Sequence, residues 1–205
     1  MEKQMEEMRY DELCAGDWMN RKYEFTGETM ERSGRTLYRI RAVRDFGEVK
    51  AGDLGGWIET ESNLSNDGDA WVSGNAWVYG NAWVSGNAWV YGDAWVSGNA
   101  WVYGDARVSG NAEVYGDARV SGNAEVYGRK HILWISMIGS RDDTVTFCRS
   151  KERKIIVAVG CFSGTIDEFE KAVEETHGDN EHGKAYRLAI ELAKLRIDLD
   201  KEENK

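Results

Sequence analysis

No segment of this 205-residue chain carries an excess of basic residues, and the formal net charge is −10. Residues 1–67 hold 10 Lys and Arg against 15 Asp and Glu, residues 68–128 hold 2 against 6, and residues 129–205 hold 14 against 15. A generic grip on a phosphate backbone needs a basic surface, so non-specific nucleic-acid binding is not expected. Cysteine is scarce: Cys14, Cys148 and Cys161 are odd in number and irregularly spaced, which argues against a disulfide framework. No stretch approaches the roughly 20 apolar residues of a membrane span, and residues 1–14 lack an apolar signal core. The expectation is a soluble, reduced, cytoplasmic protein with no membrane association.

What the chain has in abundance is one repeat. From Gly68 to Tyr127 it runs through ten successive copies of G-[ND]-A-x-V-[SY]. Fixed self-similarity decides the architecture before any local propensity does. A period of six fits neither a helix face nor a hairpin array, but it fits a solenoid of one short strand and one turn per hexapeptide. Within A-x-V, side-chain alternation sends Ala and Val to one side and x to the other. The small apolar pair is expected inside. Gly with Asn or Asp is expected to turn the corner, because these residues tolerate left-handed backbone angles.

The pairs Ala76 with Val78 and Ala82 with Val84, repeated without exception, resemble the hexapeptide motif of left-handed parallel β-helix proteins. Ser or Tyr follows the aliphatic residue here, where that family commonly has Gly or an acid. The resemblance implies three hexapeptides per triangular coil, so residues 18 apart should stack. Trp71, Trp89, Arg107 and Glu125 would then share one face, Trp77, Trp95 and Glu113 a second, and Trp83, Trp101 and Arg119 the third. All are expected to point outward, with Arg107 above Glu125 as an exposed pair worth about 0.2–1 kcal/mol. Six outward tryptophans are too much apolar surface to leave in water without consequence. Three readings stay open: burial against sister subunits or the chain's own N-terminal part, stacking between coils, or a platform for sugar rings or bases.

The flanks suggest four parts: a polar segment at 1–20, a β entry or cap module at 21–67, the β-helix at 68–128 and an α+β domain at 129–205. Residues 36–43 alternate as a strand with a wet basic face of Arg39 and Arg41, and residues 22–26 read as its partner across a polar loop. Ile58 and Leu64 fall at hexapeptide spacing before Ala70 and read as a larger-residue cap. Residues 35–59, RTLYRIRAVRDFGEVKAGDLGGWIE, followed by SNLSNDGDAWV, resemble the entry module of bacterial and prophage hexapeptide-repeat proteins often labelled transferases. After the repeat, residues 131–138, 144–149 and 154–161 read as three strands. Thr165 to Glu168 has the capping-box pattern of a helix start, and a second helix from Lys184 is expected to bury Leu188, Leu192 and Leu195. This domain is similar to C-terminal modules of phage proteins.

Chemistry is sparse. Hexapeptide acyltransferases generally use a histidine base on a loop projecting from the coils, and these ten copies have neither histidine nor inserted loop. His177 and His182, with Asp179 and Glu181 between them, can be read as metal ligands or as a polar interhelical loop, and the loop reading is preferred. Cys161 with His177 suggests nucleophile and base, although Cys161 ends an apolar strand and is expected to be buried. Residues 160–165 lie between a strand and a helix start, where free N–H groups favour anions. Ser163, Gly164 and Thr165, with Arg141, Asp143 and Arg149, are therefore candidate contacts for a phosphate or an acidic partner side chain. The P-loop lysine is absent.

No cofactor is expected. The favoured reading is a non-enzymatic binding protein that self-associates through the β-helix as a dimer or trimer. Its C-terminal domain would bind a host protein or a small anionic, nucleotide-like ligand. The resemblance further implies a phage-encoded modulator of a host defence process. An acyl or nucleotidyl transferase and a structural virion or filament component are the rival readings.

Overall fold

The computed structural model describes residues 21–200; the polar segment at 1–20, with Cys14, lies outside them. The repeat forms ten two-residue strands, β4 (Trp71–Val72) to β13 (Glu125–Val126). They stack in three parallel columns, β4-β7-β10-β13, β5-β8-β11 and β6-β9-β12. Vertical partners are 18 residues apart, as in Trp71 with Trp89 and Trp83 with Trp101. Every repeat Ala and Val is at most 1 % exposed, so the interior is the Ala/Val column that side-chain alternation dictates. The chain is a parallel β-helix.

The corners divide their labour differently from the expectation. Only the repeat glycines take positive φ, between 59° and 73°. The Asn and Asp that follow them instead form side-chain ladders between coils. Asn75 donates to Asp93 at 3.0 Å, Asn87 to Asp105 at 3.0 Å and Asn99 to Asp117 at 2.9 Å. At these steps an amide donates to a carboxylate, whereas Asn81 donates to the amide oxygen of Asn99 at 3.1 Å.

The N-terminal module is an antiparallel meander of β1 (Tyr23–Arg32), β2 (Arg35–Ala42) and β3 (Leu54–Ile58). Strand β1 runs past the expected loop, bulging near Gly27, to a tight turn at Ser33 and Gly34. β3 then pairs in parallel with β5 (Trp77–Val78), so the meander continues one face of the coils. Ile58 sits on Val78 and Leu64 on Val84, 20 residues apart rather than 18. Two extra residues before the first repeat place these side chains in the valine column, not in line with Ala70. Both are buried and close the core from this end.

The C-terminal domain has four strands, not three: β14 (Ile132–Ile138), β15 (Asp143–Arg149), β16 (Ile155–Val159) and β17 (Phe162–Thr165). They form an antiparallel sheet in sequence order, followed by α1 (Ile166–His177) and α2 (Glu181–Arg196). The helices cover one face of the sheet through Phe147, Phe169, Val173, Tyr186 and Ile190. The other face closes the β-helix: Ile132 and Cys148 join the Ala/Val core, and Ala124 bridges to Ser150. The last coil has no coil beyond it to take its backbone groups, and this sheet supplies partners. Arg119 N–H donates to the Thr146 hydroxyl at 3.0 Å, and Tyr127 N–H to His131 Nδ1 at 3.1 Å. The charged coils thus dock the domain directly.

Helix α2 reverses the expected burial. Tyr186, Ala189, Ile190 and Ala193 face the core, whereas Leu188, Leu192 and Leu195 are 67 %, 41 % and 81 % exposed. Both stripes have helical spacing. The short 178–180 turn and the Tyr186 ring against Phe169, 5.3 Å apart, select the Tyr186 face.

Candidate functional site

One concavity of the C-terminal domain is a groove of about 280 Å³ between two sheet turns and the helices. The β14–β15 turn brings Arg141 and Asp143, and the β16–β17 turn brings Gly160 and Cys161. Helix α1 contributes Phe169, Val173 and, at its last residue, His177; α2 contributes Tyr186. Local backbone explains the first turn, where Gly139 and Asp142 take positive φ and fold Arg141 back over the sheet end. A side chain at Gly139 would collide with the Tyr186 ring, so glycine there makes room for it.

Polar groups line the rim. Asp143 accepts from the Thr144 N–H at 2.8 Å. Burial and the nearby Asp143 carboxylate push the Tyr186 hydroxyl above the ordinary tyrosine range. The His177 ring packs 5.6 Å from that of Tyr186 and 5.9 Å from that of His182. Phe162, Phe169 and Val173 supply an apolar wall. An apolar wall with one guanidinium at its rim suits a flat ligand with an anionic group.

Of the residues singled out from sequence, Arg141, Asp143, Cys161 and His177 meet in this groove, and Arg149, Ser163, Gly164, Thr165, Asp179 and His182 lie outside it. Ser163 and Gly164 belong to β17 and line a separate corner of about 320 Å³ against the last coil. Thr165 is the N-cap of α1, and its N–H and hydroxyl donate to the Glu168 carboxylate at 2.7 and 2.8 Å. Those bonds hold the Glu168 carboxyl below its usual range, and the protein's own carboxylate sits where an anion was expected. Arg149 is at the far end of β15 from Asp143, about 20 Å away by strand rise. It is buried, paired with Glu125 at 3.3 Å, with its Nε donating to the Leu199 carbonyl. Glu125 is therefore engaged by Arg149, although the register does stack Arg107 over it.

Asp179 pairs with Arg187 at 3.0 Å, and His182 lies 3.8 Å from Glu181. Gly178, with positive φ, ends α1, as in the interhelical-loop reading. Among the described residues, no group of three or more His, Cys, Asp or Glu converges on a common point. The cysteine expectation is corrected: Cys161 is exposed, because the strand ends before it and it occupies the turn, whereas Cys148 is buried and its thiol is pushed up by burial. Sequence reasoning missed Tyr186 by taking the leucine stripe for the buried face of α2.

The tryptophan girdle divides by face. Trp71 is not outward and free: the entry module covers it, with Phe46 edge-on at 5.4 Å, leaving it 3 % exposed. Trp77 stacks on Trp95 at 5.6 Å and 12°, under the Arg32 guanidinium, and Trp89 packs half-buried against the core. Trp83 and Trp101 meet edge-on and stay 38 % and 44 % exposed, with the Arg119 guanidinium over Trp101.

Among the described residues no helix is long and apolar enough to cross a membrane. A comparison with curated proteins finds no match. The YdcK beta solenoid repeat family matches residues 70–86 and 82–98, within the tryptophan-bearing copies. That match and the stacked parallel coils agree on one conclusion: this is a β-solenoid repeat protein.

Proposed function

We propose that this protein is a binding protein in which a doubly capped β-helix carries a C-terminal recognition domain, and that the Arg141 groove receives a small anionic, nucleotide-like ligand. The carrying observation is the meeting of Arg141 and His177 with an aromatic wall in one cavity of about 280 Å³. A guanidinium presents paired donors to phosphate, and Phe162 with Phe169 gives a ring somewhere to lie. The uniform coils offer no position distinct from its neighbours, which suits a spacer. A phage origin and a role against a host defence process extend this reading through the sequence resemblance alone.

Calorimetric titration of the full-length protein with inorganic phosphate and with mononucleotides, cyclic ones included, tests it. Saturable heat with a nucleotide, reduced at least about tenfold in affinity by Arg141→Ala, is the expected result. Absence of heat with every probe, or binding indifferent to Arg141→Ala, overturns it.

A further inference from the structure

We propose that α2 is a self-association surface: two copies of this chain pair through it with their α2 helices parallel about a two-fold axis. This goes beyond the ligand groove and moves self-association away from the tryptophan coils. The helix is apolar on two sides. Tyr186, Ile190 and Ala193 are buried in the domain, yet Leu188, Leu192 and Leu195 remain 67 %, 41 % and 81 % exposed. At 3.6 residues per turn the leucines lie within an arc of about 60°, almost diametrically opposite Ile190. A helix apolar all round belongs in an interior, and this one has covered only half of its surface. The leucine spacing of four and then three is the seam of a two-helix coil.

Charge selects the occupant and its direction. Arg187 and Lys194 are tied to α1 through Glu174 and Glu170, and Arg187 also to Asp179 in the turn between the helices. Glu191 flanks the stripe on one side and Arg196 on the other. In a parallel pair each leucine meets its own copy, and Glu191 faces Arg196 of the second copy, five residues on, at both edges. In an antiparallel pair centred on Leu188 and Leu192, Glu191 would meet its own copy at the axis. The two-fold makes every contact self-complementary, as a homodimer requires.

Sedimentation velocity on the full-length 23.2 kDa chain, from low to high micromolar, tests this. The expected result is a reversible dimer that Leu188→Glu or Leu195→Glu converts to monomer, with a Tm equal to that of wild type at dilutions where wild type is itself monomeric, since both side chains lie outside the core. Glu191→Arg should weaken dimerisation roughly tenfold, and adding Arg196→Glu should restore it. A wild type monomeric throughout overturns the proposal. So does a dimer indifferent to the leucine variants, or one that Arg196→Glu fails to rescue. Removal of residues 2–20 should leave the dimer intact; dimerisation that appears only in that truncated chain would mean the N-terminal segment covers the stripe, and would also overturn it.

Discussion

Arg149 of the C-terminal sheet reaches Glu125 of the last coil across 3.3 Å, with the two side chains only 4 % and 15 % exposed. The same guanidinium lies 5.2 Å from the Tyr127 ring centroid, and the Tyr127 hydroxyl donates to Glu125. Two modules that differ in composition are thus joined by a shielded ion pair.

Removing one partner of that pair leaves an uncompensated charge in a desolvated joint. Arg149→Ala should therefore cost about 3–5 kcal/mol in urea denaturation, whereas the exposed Lys171–Glu175 pair should cost no more than about 1 kcal/mol on Lys171→Ala. The double variant Arg149→Met with Glu125→Gln should recover part of the loss, because neither buried charge is then left alone. Equal costs for the two single variants would show that the joint is no better shielded than the surface.

The coils were legible in the sequence because a strict period leaves one register, and the 18-residue spacing follows from three equal sides. What lies at their ends was harder to read. The two residues that shift Ile58 and Leu64 into the valine column are hidden in a polar loop with no periodicity of its own. The docking of the C-terminal sheet depends on satisfying the last coil's backbone, which no side-chain pattern announces. In the candidate site, Phe162–Thr165 is too short and too rich in Ser and Gly to read as a strand, so the strand count came out one low. The capping box from Thr165 to Glu168 was legible, and it leaves the Thr165 N–H and hydroxyl engaged by the protein's own carboxylate. Arg141 and His177 were recognisable as residue types, but only the fold brings them into one groove.

Lys22 gives the fold a measurable pH signature. Its side chain is fully buried and donates to the Ala70 carbonyl at 2.7 Å. Burial, only partly offset by Asp69, lowers its pKa from 10.5 to about 8. Between those values the unfolded chain binds the proton more tightly, so stability attributable to Lys22 rises with pH. The gain should reach at most about 2 kcal/mol from pH 8 to about 9.5. Above about 10 the buried Tyr23 opposes it, since burial raises that hydroxyl and unfolded tyrosine ionises first. Chemical denaturation across this window should show the rise in wild type and not in Lys22→Met. A parallel slope in both would assign it to other groups.

The repeat glycines serve two purposes that a pair of variants can separate. Gly98 has φ of +68°, and a Cβ there would lie 2.9 Å from the Gly116 nitrogen of the next coil. Gly122 has φ of +61°, but a Cβ would meet nothing within 4 Å, because no coil follows. Left-handed backbone alone costs a non-glycine residue about 1–2 kcal/mol. Gly122→Ala should therefore lose about that much, as read by urea midpoint at constant slope. Gly98→Ala must also push two coils apart against the hydrogen bonds that fix their spacing, as at Asn99, whose N–H donates to the Gly116 carbonyl at 2.8 Å. Its loss should exceed that of Gly122→Ala by at least about 1 kcal/mol, within the range for overpacking. If the two substitutions cost the same, the glycine column is set by backbone conformation, and close approach of the coils adds nothing to it.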